Sequence, residues 1–542
     1  ADWVLPYPQL AADERDKVAQ AFGELERFCD AHLDPERIDR EADIPREVID
    51  GLGKLGILGM TAPTKFGGRG FSQMGYCRLL EVIGARCSST AIFVNAHHSI
   101  GMRALLLFGS DEQKRKWLPD LVSGRKLAAF ALTEPEAGSD AANVQTSAMP
   151  TADGKGFVLN GQKRYITNGA IAEFLTVMAR TPVAGREGGA ITAFVVTPDM
   201  PGFEVVEPRM EKLGVRGTAT AKLAFREMYV PRENVLGQPG KGLKLALTVL
   251  DFGRTTFGAC CTGAAKTCMR LATQHAHARR QFGRTLAEFE LTQKKLALMS
   301  AWTYTMEAMT TVTAGLIDRG LEDYMLETAM LKVWSTERLW LIVNDAFQIH
   351  GGAAYFTDLP LERMLRDHRI NQIGEGANEV LLSFVGLVGM RGPGMRLKEV
   401  ADGLKHPWSG AGTFGHFLAD AIRLRFSSPN VPVQSDELKP EARRLGSLIR
   451  RLGLVVQQTL FRHREEVVER QLVQERLAWL AMELFAAACT LSRWDSEVAR
   501  NARSHDATAR LALADSFHRA ETHLREARDN DDLLMRKAAA AL

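Results

Sequence analysis

The stretch "FVLNGQKRYI" (157–166) breaks the texture of the chain around it. Two β-rich runs flank Asn160-Gly161, a pair suited to the φ > 0 positions of a two-residue turn, so the stretch predicts a β-hairpin. Moving outward, "FLTVMART" (174–181), "AITAFVVTP" (190–198), "FEVVEP" (203–208) and "TATAKLAFREMYVP" (218–231) are further short runs, each punctuated by Gly or Pro. Strands spaced in this way predict a small antiparallel β-domain between about 131 and 240. On both sides the pattern is helical. "GSDEQKRKWLPDLVSG" (109–124) opens with a Ser110-x-x-Gln113 capping box and stops at Gly124. From Gly242 to about Gly389 long helical segments return, among them "KLALTVLDFGRTTFGACCTGAAKTCMRLATQHA" (244–276). A Gly- and Pro-rich passage, "MRGPGMRLKEVADGLKHPWSGAGTFG" (390–415), reads as a linker and "FSSPNVPVQSDELKP" (426–440) as a second loop, before a charged, Ala-rich helical end. The expected fold is mainly α with a central antiparallel β-domain, an α–β–α order with an appended C-terminal helical domain. Its boundaries fall at 1–130, 131–240, 241–390, a linker over 391–436, and 437–542.

With 542 residues the chain is too long for one core. Its formal net charge of +3 gives no argument for nucleic acid as a partner. No run of eighteen or more uncharged apolar residues suggests a membrane span. The start, "ADWVLPYPQLAADERDK" (1–17), shows neither a basic nor an apolar leader region. Seven cysteines, odd in number and scattered, suggest reduced buried thiols, and no paired spacing points to a metal.

"GLGKLG" (51–56) fits the dinucleotide-binding fingerprint letter for letter. It lacks the strand that must precede it: "IPREVID" (44–50) starts a helix, and the glycines fall at that helix's end. "NQIGEGANEVLLSF" (371–384) is more telling, because it sets Glu375 between two glycines. Bare neighbours let the backbone adopt φ > 0 or approach another group, which suits a carboxylate reaching into a cleft; from those letters alone a solvated turn with an ordinary surface acid is the commoner reading.

Four passages, "ALTEPEAGSDAANVQTSA" (131–148), "NGQKRYITNG" (160–169), "ARRQFGR" (278–284) and "QIHGGAAYFTDLPLERMLRDHRINQIGEGANE" (348–379), resemble in order and spacing the signatures of the acyl-CoA dehydrogenase family. With "AHHSIGMRALLLFGS" (96–110) and "LVVQQTLFRHREEVVERQLVQERLAWLAMELFAAACTLSR" (454–493), the chain is most similar to the very-long-chain branch, which carries an extra C-terminal helical domain. The resemblance implies noncovalent FAD, an acyl-CoA thioester substrate, electron-transfer flavoprotein as oxidant, and a homodimer.

The same resemblance assigns residues. Glu375 is the expected base that takes the proton next to the thioester carbonyl, a task that needs a desolvated carboxylate and immediate stabilisation of the enolate, to which its own N–H contributes. The other base position known in the family falls on Gly253 in "LDFGR" (250–254), which has no side chain. For FAD the implied residues are Leu132, Thr133, Gly138 and Ser139, then Tyr165, Ile166 and Thr167, with Ala377, Asn378 and Glu379. Tyr165 stands where the family usually has Trp. Arg279, Phe282, Gln348, Gly351 and Gly352 match positions that hold the FAD pyrophosphate and adenine across a subunit interface. On the substrate side the implied residues are Asp140, Ala141, Asp251, Arg254 and Gly376, with Ala91 and Asn95 on the floor of the acyl pocket. Both floor positions are glycine in the very-long-chain enzymes.

Expected activity is therefore α,β-dehydrogenation of medium-to-long acyl-CoA to trans-2-enoyl-CoA in fatty-acid β-oxidation. An acyl-CoA oxidase, or a non-catalytic assembly partner of the same fold, are the alternatives. "ARRLGSLIRRLGLVVQQTLFRHR" (442–464) mixes arginines with an apolar stripe, compatible with peripheral contact to an anionic membrane or with an ordinary packed helix. The expected location is cytoplasmic in a bacterium and on the matrix or inner-membrane side of mitochondria in a eukaryote.

Overall fold

The computed structural model describes residues 3–403 and 425–542. They form two compact units: Leu10–Thr292 with Ser335–Glu375, and Ala1–Gln9 with Gln293–Trp334 and Gly376–Leu542.

The first unit begins with helices α1 (Ala12–His32), α2 (Pro35–Glu41), α3 (Arg46–Lys54) and α4 (Gln73–Arg86). Their ends are set by local chemistry. The Asp34 carboxylate accepts from the Glu36 and Arg37 N–H groups, with Pro35 at the first helical position, and the Ser72 hydroxyl accepts from the Gly75 N–H at 3.1 Å. Gly51 and Gly53 lie in the last turns of α3 and Gly56 beyond its end, with no strand before them. Next comes a continuous apolar helix, α5 (Ser88–Val94), a π-helical segment (Asn95–Gly101) and α6 (Met102–Phe108). By length and composition it could pass for a membrane span, but 72% of its apolar window is buried inside the protein. Helix α7 (Asp111–Ser123) has the expected Ser110/Gln113 box and ends on left-handed Gly124.

The sheet contains β1 (Ala128–Ala131), β2 (Ser147–Pro150), β3 (Gly156–Ile166), β4 (Phe174–Val183), β5 (Arg186–Val196), β6 (Phe203–Glu207), β7 (Ala221–Pro231) and β8 (Val235–Leu236). Its order is β6-β7-β3-β2-β4-β5-β8, with β1 paired to β4. Most pairings are antiparallel as expected, but β1 and β2 each run parallel to β4. The hairpin expected at Asn160-Gly161 is absent, because β3 runs straight through it. The pair instead forms a bulge against β7: Asn160 accepts from the Glu227 N–H at 2.8 Å and donates to its carboxylate at 2.6 Å, with Glu227 itself at φ 46°. A Cβ on Gly161 would lie 2.4 Å from Thr146 Oγ1, so this glycine serves close strand packing and not a turn.

Helix α8 (Gly242–Ala278) crosses α4 at backbone contact: a Cβ on Gly84 would sit 2.7 Å from Cys260 Cα, and one on Gly263 only 2.1 Å from the Glu81 carbonyl. This crossing holds residues 251–256 of α8 beside the π-helical segment. Helix α11 (Leu361–Arg369) receives the loop after β6, whose Val215 N–H donates to Asp367 Oδ1 at 2.6 Å.

Two helices run from one unit's sequence into the other's, α9 (Glu290–Asp318) at Gln293 and α10 (Met325–His350) after Trp334. The second unit continues with α12 (Asn378–Gly403), α13 (Lys439–His463), α14 (Gln471–Ala499), α15 (Asp506–Glu526) and α16 (Asp532–Ala539). Leu445, Leu480, Leu484, Trp494 and Phe517 form its core, and Trp494 donates its indole N–H to Asp506 at 2.8 Å. The passage expected as a linker over 391–436 begins as helix, since α12 continues through Pro393 to Gly403. One lost N–H bond is a local cost that the flanking turns bear. Residues 404–424 lie outside the described residues. None of the seven cysteines forms a disulfide among the described residues.

Candidate active site

Glu375 follows α11 and a 3-10 turn (Ile370–Gln372) and has φ 55°, with Gly376 next at φ 98°. Two successive left-handed residues reverse the chain within one turn, and a non-glycine there is uncommon enough to suggest a functional constraint. Only the second glycine is needed for conformation. Gly374 stays outside the left-handed region and closes the turn through its N–H on the Ile370 carbonyl at 2.8 Å.

Glu375 is half-buried, and its Oε2 is shielded from solvent. Its Oε1 accepts from Asn95 Nδ2 at 2.9 Å, and its Oε2 lies 2.6 Å from where a Cβ on Gly253 would stand. Gly253, expected at the family's other base position, therefore faces the same point in space, and its missing side chain is the space that the carboxylate uses. Asn95, expected on the pocket floor, is 2% exposed and reaches the Glu375 carboxylate itself. Ala91, one turn earlier, is buried in the helical core. Behind Asn95 runs a chain of buried hydroxyls. Thr256 Oγ1 lies 2.5 Å from Asn95 Oδ1, Ser99 Oγ 3.1 Å from Thr256 Oγ1, and the Tyr76 hydroxyl 2.7 Å from Ser99 Oγ. Asp251 and Arg254 pair within α8 at 2.9 Å, both buried, and Arg254 Nε also approaches the Glu375 carbonyl at 3.5 Å.

A second group gathers at the sheet. Lys163 is fully buried and donates to Glu134 Oε1 at 2.6 Å and to the Leu132 carbonyl at 3.0 Å. Glu134 also accepts from the N–H groups of Gln145 at 2.6 Å and Thr146 at 3.1 Å. Burial pushes the Lys163 ammonium down to about 8 against the pull of Glu134. Burial alone would raise Glu134, yet the charge of Lys163 and these hydrogen bonds hold it below its usual value, so the pair is ionised at neutral pH. This pair shapes the loop from Leu132 to Ser139. Leu132 is anchored in the core, while Gly138, Ser139 and Asp140 are exposed and Ala141 is half-buried. The Arg164 N–H donates to the Thr133 carbonyl at 2.9 Å, joining the loop to Tyr165, Ile166 and Thr167. Tyr165 has φ 60° and is 56% exposed, Ile166 is buried and Thr167 half-buried. Asn168 ties this strand end to α5 through the Phe93 carbonyl at 3.2 Å.

The third group joins the ends of α8 and α10, where His275 and His350 stack at 4.3 Å. Arg279 is exposed and Phe282, at the tip of a two-stranded turn with φ 52°, is 93% exposed. Gln348, Gly351 and Gly352 are exposed, and neither glycine faces an atom of this chain where a Cβ would point. In the second unit Gly376 and Asn378 share a partner that sequence reasoning missed. Lys332 is fully buried and donates to the Gly376 carbonyl and to Asn378 Oδ1, both at 2.7 Å. Ala377 is half-buried and Glu379 exposed. A lone lysine in the apolar run "AMLKVWST" (329–336) was the available signal.

These groups suit a flavin dinucleotide. The loop from Leu132 to Ser139 offers backbone groups and an open glycine, Thr167 offers a hydroxyl, Tyr165 a flat surface, and Arg279 beside bare glycines suits a diphosphate.

A carboxylate on a left-handed turn, in a chain of helix–sheet–helix order with further helices after it, is the arrangement of the flavin-dependent acyl-thioester dehydrogenase class. The acyl-CoA dehydrogenase N-terminal, middle and C-terminal domains match residues 17–125, 129–228 and 240–388, and the ACAD9/ACADV C-terminal domain matches 436–540. The chain belongs to the acyl-CoA dehydrogenase family. It is 36% identical to the human mitochondrial very long-chain specific acyl-CoA dehydrogenase, over 91% of this chain and 76% of that protein. It is 32% identical to a probable acyl-CoA dehydrogenase, FadE10, of Mycobacterium tuberculosis, over 94% of this chain and 81% of that protein. Its fold is similar to that of a Bacillus anthracis acyl-CoA dehydrogenase solved with FAD, at TM-score 0.83 and 28% identity, covering 99% of this chain and 92% of that one.

Proposed function

We propose that the protein converts medium-to-long acyl-CoA to trans-2-enoyl-CoA in fatty-acid β-oxidation, with Glu375 as base and electrons leaving to electron-transfer flavoprotein. The observation that carries the reading is the Glu375 carboxylate held on Asn95 against the bare face of Gly253. The carboxylate forms an O–H bond with the proton of the α-carbon, and the C–H electron pair moves toward the thioester carbonyl. The Glu375 N–H is the proposed donor to that carbonyl oxygen, where charge develops. The loop from Leu132, Tyr165 and Thr167, and Arg279 with Gly351 and Gly352 would hold FAD, which when bound would supply the acceptor for the hydride leaving the β-carbon. Asp251 and Arg254 are the proposed contacts toward CoA.

A homodimer is part of the proposal. Phe282, Leu291, Tyr355 and Phe356 are 93%, 78%, 77% and 63% exposed within one unit, an apolar cost that a second copy would remove. Membrane contact through 442–464 would rest on the exposed Arg443, Arg451, Arg462 and Phe461, because Leu445, Leu448, Val455 and Val456 are buried.

The test is anaerobic titration of the holoenzyme with octanoyl- and palmitoyl-CoA beside Glu375→Gln. The wild type should bleach its flavin, whereas the variant should bind acyl-CoA and stay yellow. Oxygen consumption set against electron-transfer flavoprotein reduction separates an oxidase from a dehydrogenase. A wild-type flavin that no acyl-CoA bleaches would favour the assembly-partner reading.

A further inference from the structure

We propose that Asn95 and Thr256 are positioning residues that follow the proton on Glu375, reversing their hydrogen bonds as the carboxylate becomes a carboxylic acid. The inference rests on Glu375 being the base. A base must be held in two states, and a carboxylate only accepts hydrogen bonds whereas a carboxylic acid also donates one. The Asn95 amide has a face for each. In the structure Nδ2 donates to Glu375 Oε1 at 2.9 Å while Oδ1 accepts from the Thr256 hydroxyl at 2.5 Å, the arrangement suited to the ionised base.

Once the base carries a proton, a half-turn of the amide presents Oδ1 to the new O–H and Nδ2 to Thr256 Oγ1. The Thr256 hydroxyl then needs another acceptor. The Gly253 carbonyl stands 3.0 Å from it and the Phe252 carbonyl 3.3 Å, both on α8. The reversal therefore keeps every hydrogen bond, and the proton itself stays on Glu375. Asn95, Thr256, Ser99 and Tyr76 are all 2% exposed or less, so bulk water does not supply the missing partners. Ser99 and Tyr76 adapt because hydroxyls donate in either direction.

The ionisable groups packed around this corner within the same unit are Asp251, Arg254, Cys260 and Cys261 on α8, Tyr76 on α4, His98 on the π-helical segment with Arg103 on α6, and His368 on α11, which meets Asn371.

The experiment uses holoenzyme of the wild type and of Thr256→Val, Thr256→Ser, Asn95→Leu and Glu375→Gln. The rate of anaerobic flavin reduction by saturating octanoyl-CoA is followed against pH. Independently, infrared difference spectra without substrate follow protonation of the carboxyl whose band is missing in Glu375→Gln. Removing the donor to a carboxylate raises its pKa; Asn95→Leu removes that donor, and Thr256→Val removes the hydroxyl that keeps the donor side of the amide turned to Glu375. The acid midpoint should move up by about one pH unit or more in Thr256→Val and Asn95→Leu, a tenfold change in the ionisation constant. Thr256→Ser should restore it, and KM should change less than kcat at acid pH. Midpoints within the wild-type range in Thr256→Val, or a shift that Thr256→Ser reproduces, would overturn the proposal. Thr256→Val decides if Asn95→Leu does not fold. If Glu375→Gln itself reduces flavin at the wild-type rate, the base assignment has failed and not the follower.

Discussion

A methyl group on Gly253 would stand 2.6 Å from Glu375 Oε2, although the two residues are more than a hundred positions apart. The side chain absent from α8 thus makes the pocket that the carboxylate fills.

Gly253→Ala should therefore separate stability from activity. Alanine is favoured over glycine in a helix interior by about 1 kcal/mol, and the clash falls on the mobile end of a side chain, with Ile100 yielding slightly. The melting temperature should hold or rise. Because a displacement of about 1 Å in a reacting group can cost ~100-fold, kcat should fall by tenfold or more. Stopped-flow flavin reduction beside thermal melts checks both.

Lys163→Met should be costly. It leaves the Glu134 carboxylate, 2% exposed, without its cation, a loss of about 3–5 kcal/mol for a broken buried pair. FAD should be lost on gel filtration, because this pair shapes the loop that begins at Leu132. Lys163→Met with Glu134→Gln should recover part of the stability, which calorimetry can measure.

For Lys332→Met the damage should be local. The Gly376 carbonyl and Asn378 Oδ1 lose their shared donor, at roughly 1–3 kcal/mol. With the turn after the base less fixed, kcat should fall more than KM rises. A proportional rise in KM with unchanged kcat would contradict this role.

Acid should destabilise the fold through buried histidines. His97 accepts the Ala128 N–H on Nδ1 at 3.0 Å and faces the Leu121 carbonyl with Nε2 at 3.1 Å, so it is a neutral tautomer whose proton uptake would break the first bond. Burial brings His97 and His368 down to about 4. Between about pH 6.5 and 4 the unfolded chain binds these protons and the folded one does not, so stability falls as pH falls, by about 1.4 kcal/mol per pH unit for each histidine. Asp367 acts in the opposite sense. Burial raises it to about 6, so its contribution is full below about 3.9 and is lost as pH rises through 6. Asp367→Asn, which keeps an acceptor for Val215, should melt higher than wild type at pH 8 and lose that advantage near pH 4.

Phe282→Asp should yield monomers that have lost FAD. A charge at a position 93% exposed in a single chain costs little for folding, so unchanged helicity with altered sedimentation and loss of flavin colour is the expected result. A yellow dimer would remove the support for a shared cofactor site.

Much of the candidate site was legible because its residues stand close together in the chain. Glu375 with Gly376, the loop from Leu132 and the bare Gly253 stand in recognisable strings, and the Ser110/Gln113 box follows from three-residue spacing. What escaped is what tertiary contact decides. Asn160-Gly161 carries the letters of a hairpin, but Thr146 crowds Gly161 and Glu227 bonds Asn160, so the strand continues. Lys332 and Thr256 sit in apolar helical runs where nothing in the neighbouring letters shows that one reaches a carbonyl 44 positions on and the other an amide 161 positions back.

The π-helical segment from Asn95 to Gly101 has a consequence for how this site can change. A π turn is an α-helix carrying a surplus residue, and each residue turns an α-helix by about 100°. Deleting one amino acid between Asn95 and Ser99, such as Ala96, would tighten the coil and swing Asn95 away from Ser99's side of the helix while leaving every letter of the contact set intact. The geometry around the Glu375 carboxylate is thus encoded in a count as well as in an alphabet, and alignments that slide a gap across this helix will compare residues that never occupy the same place.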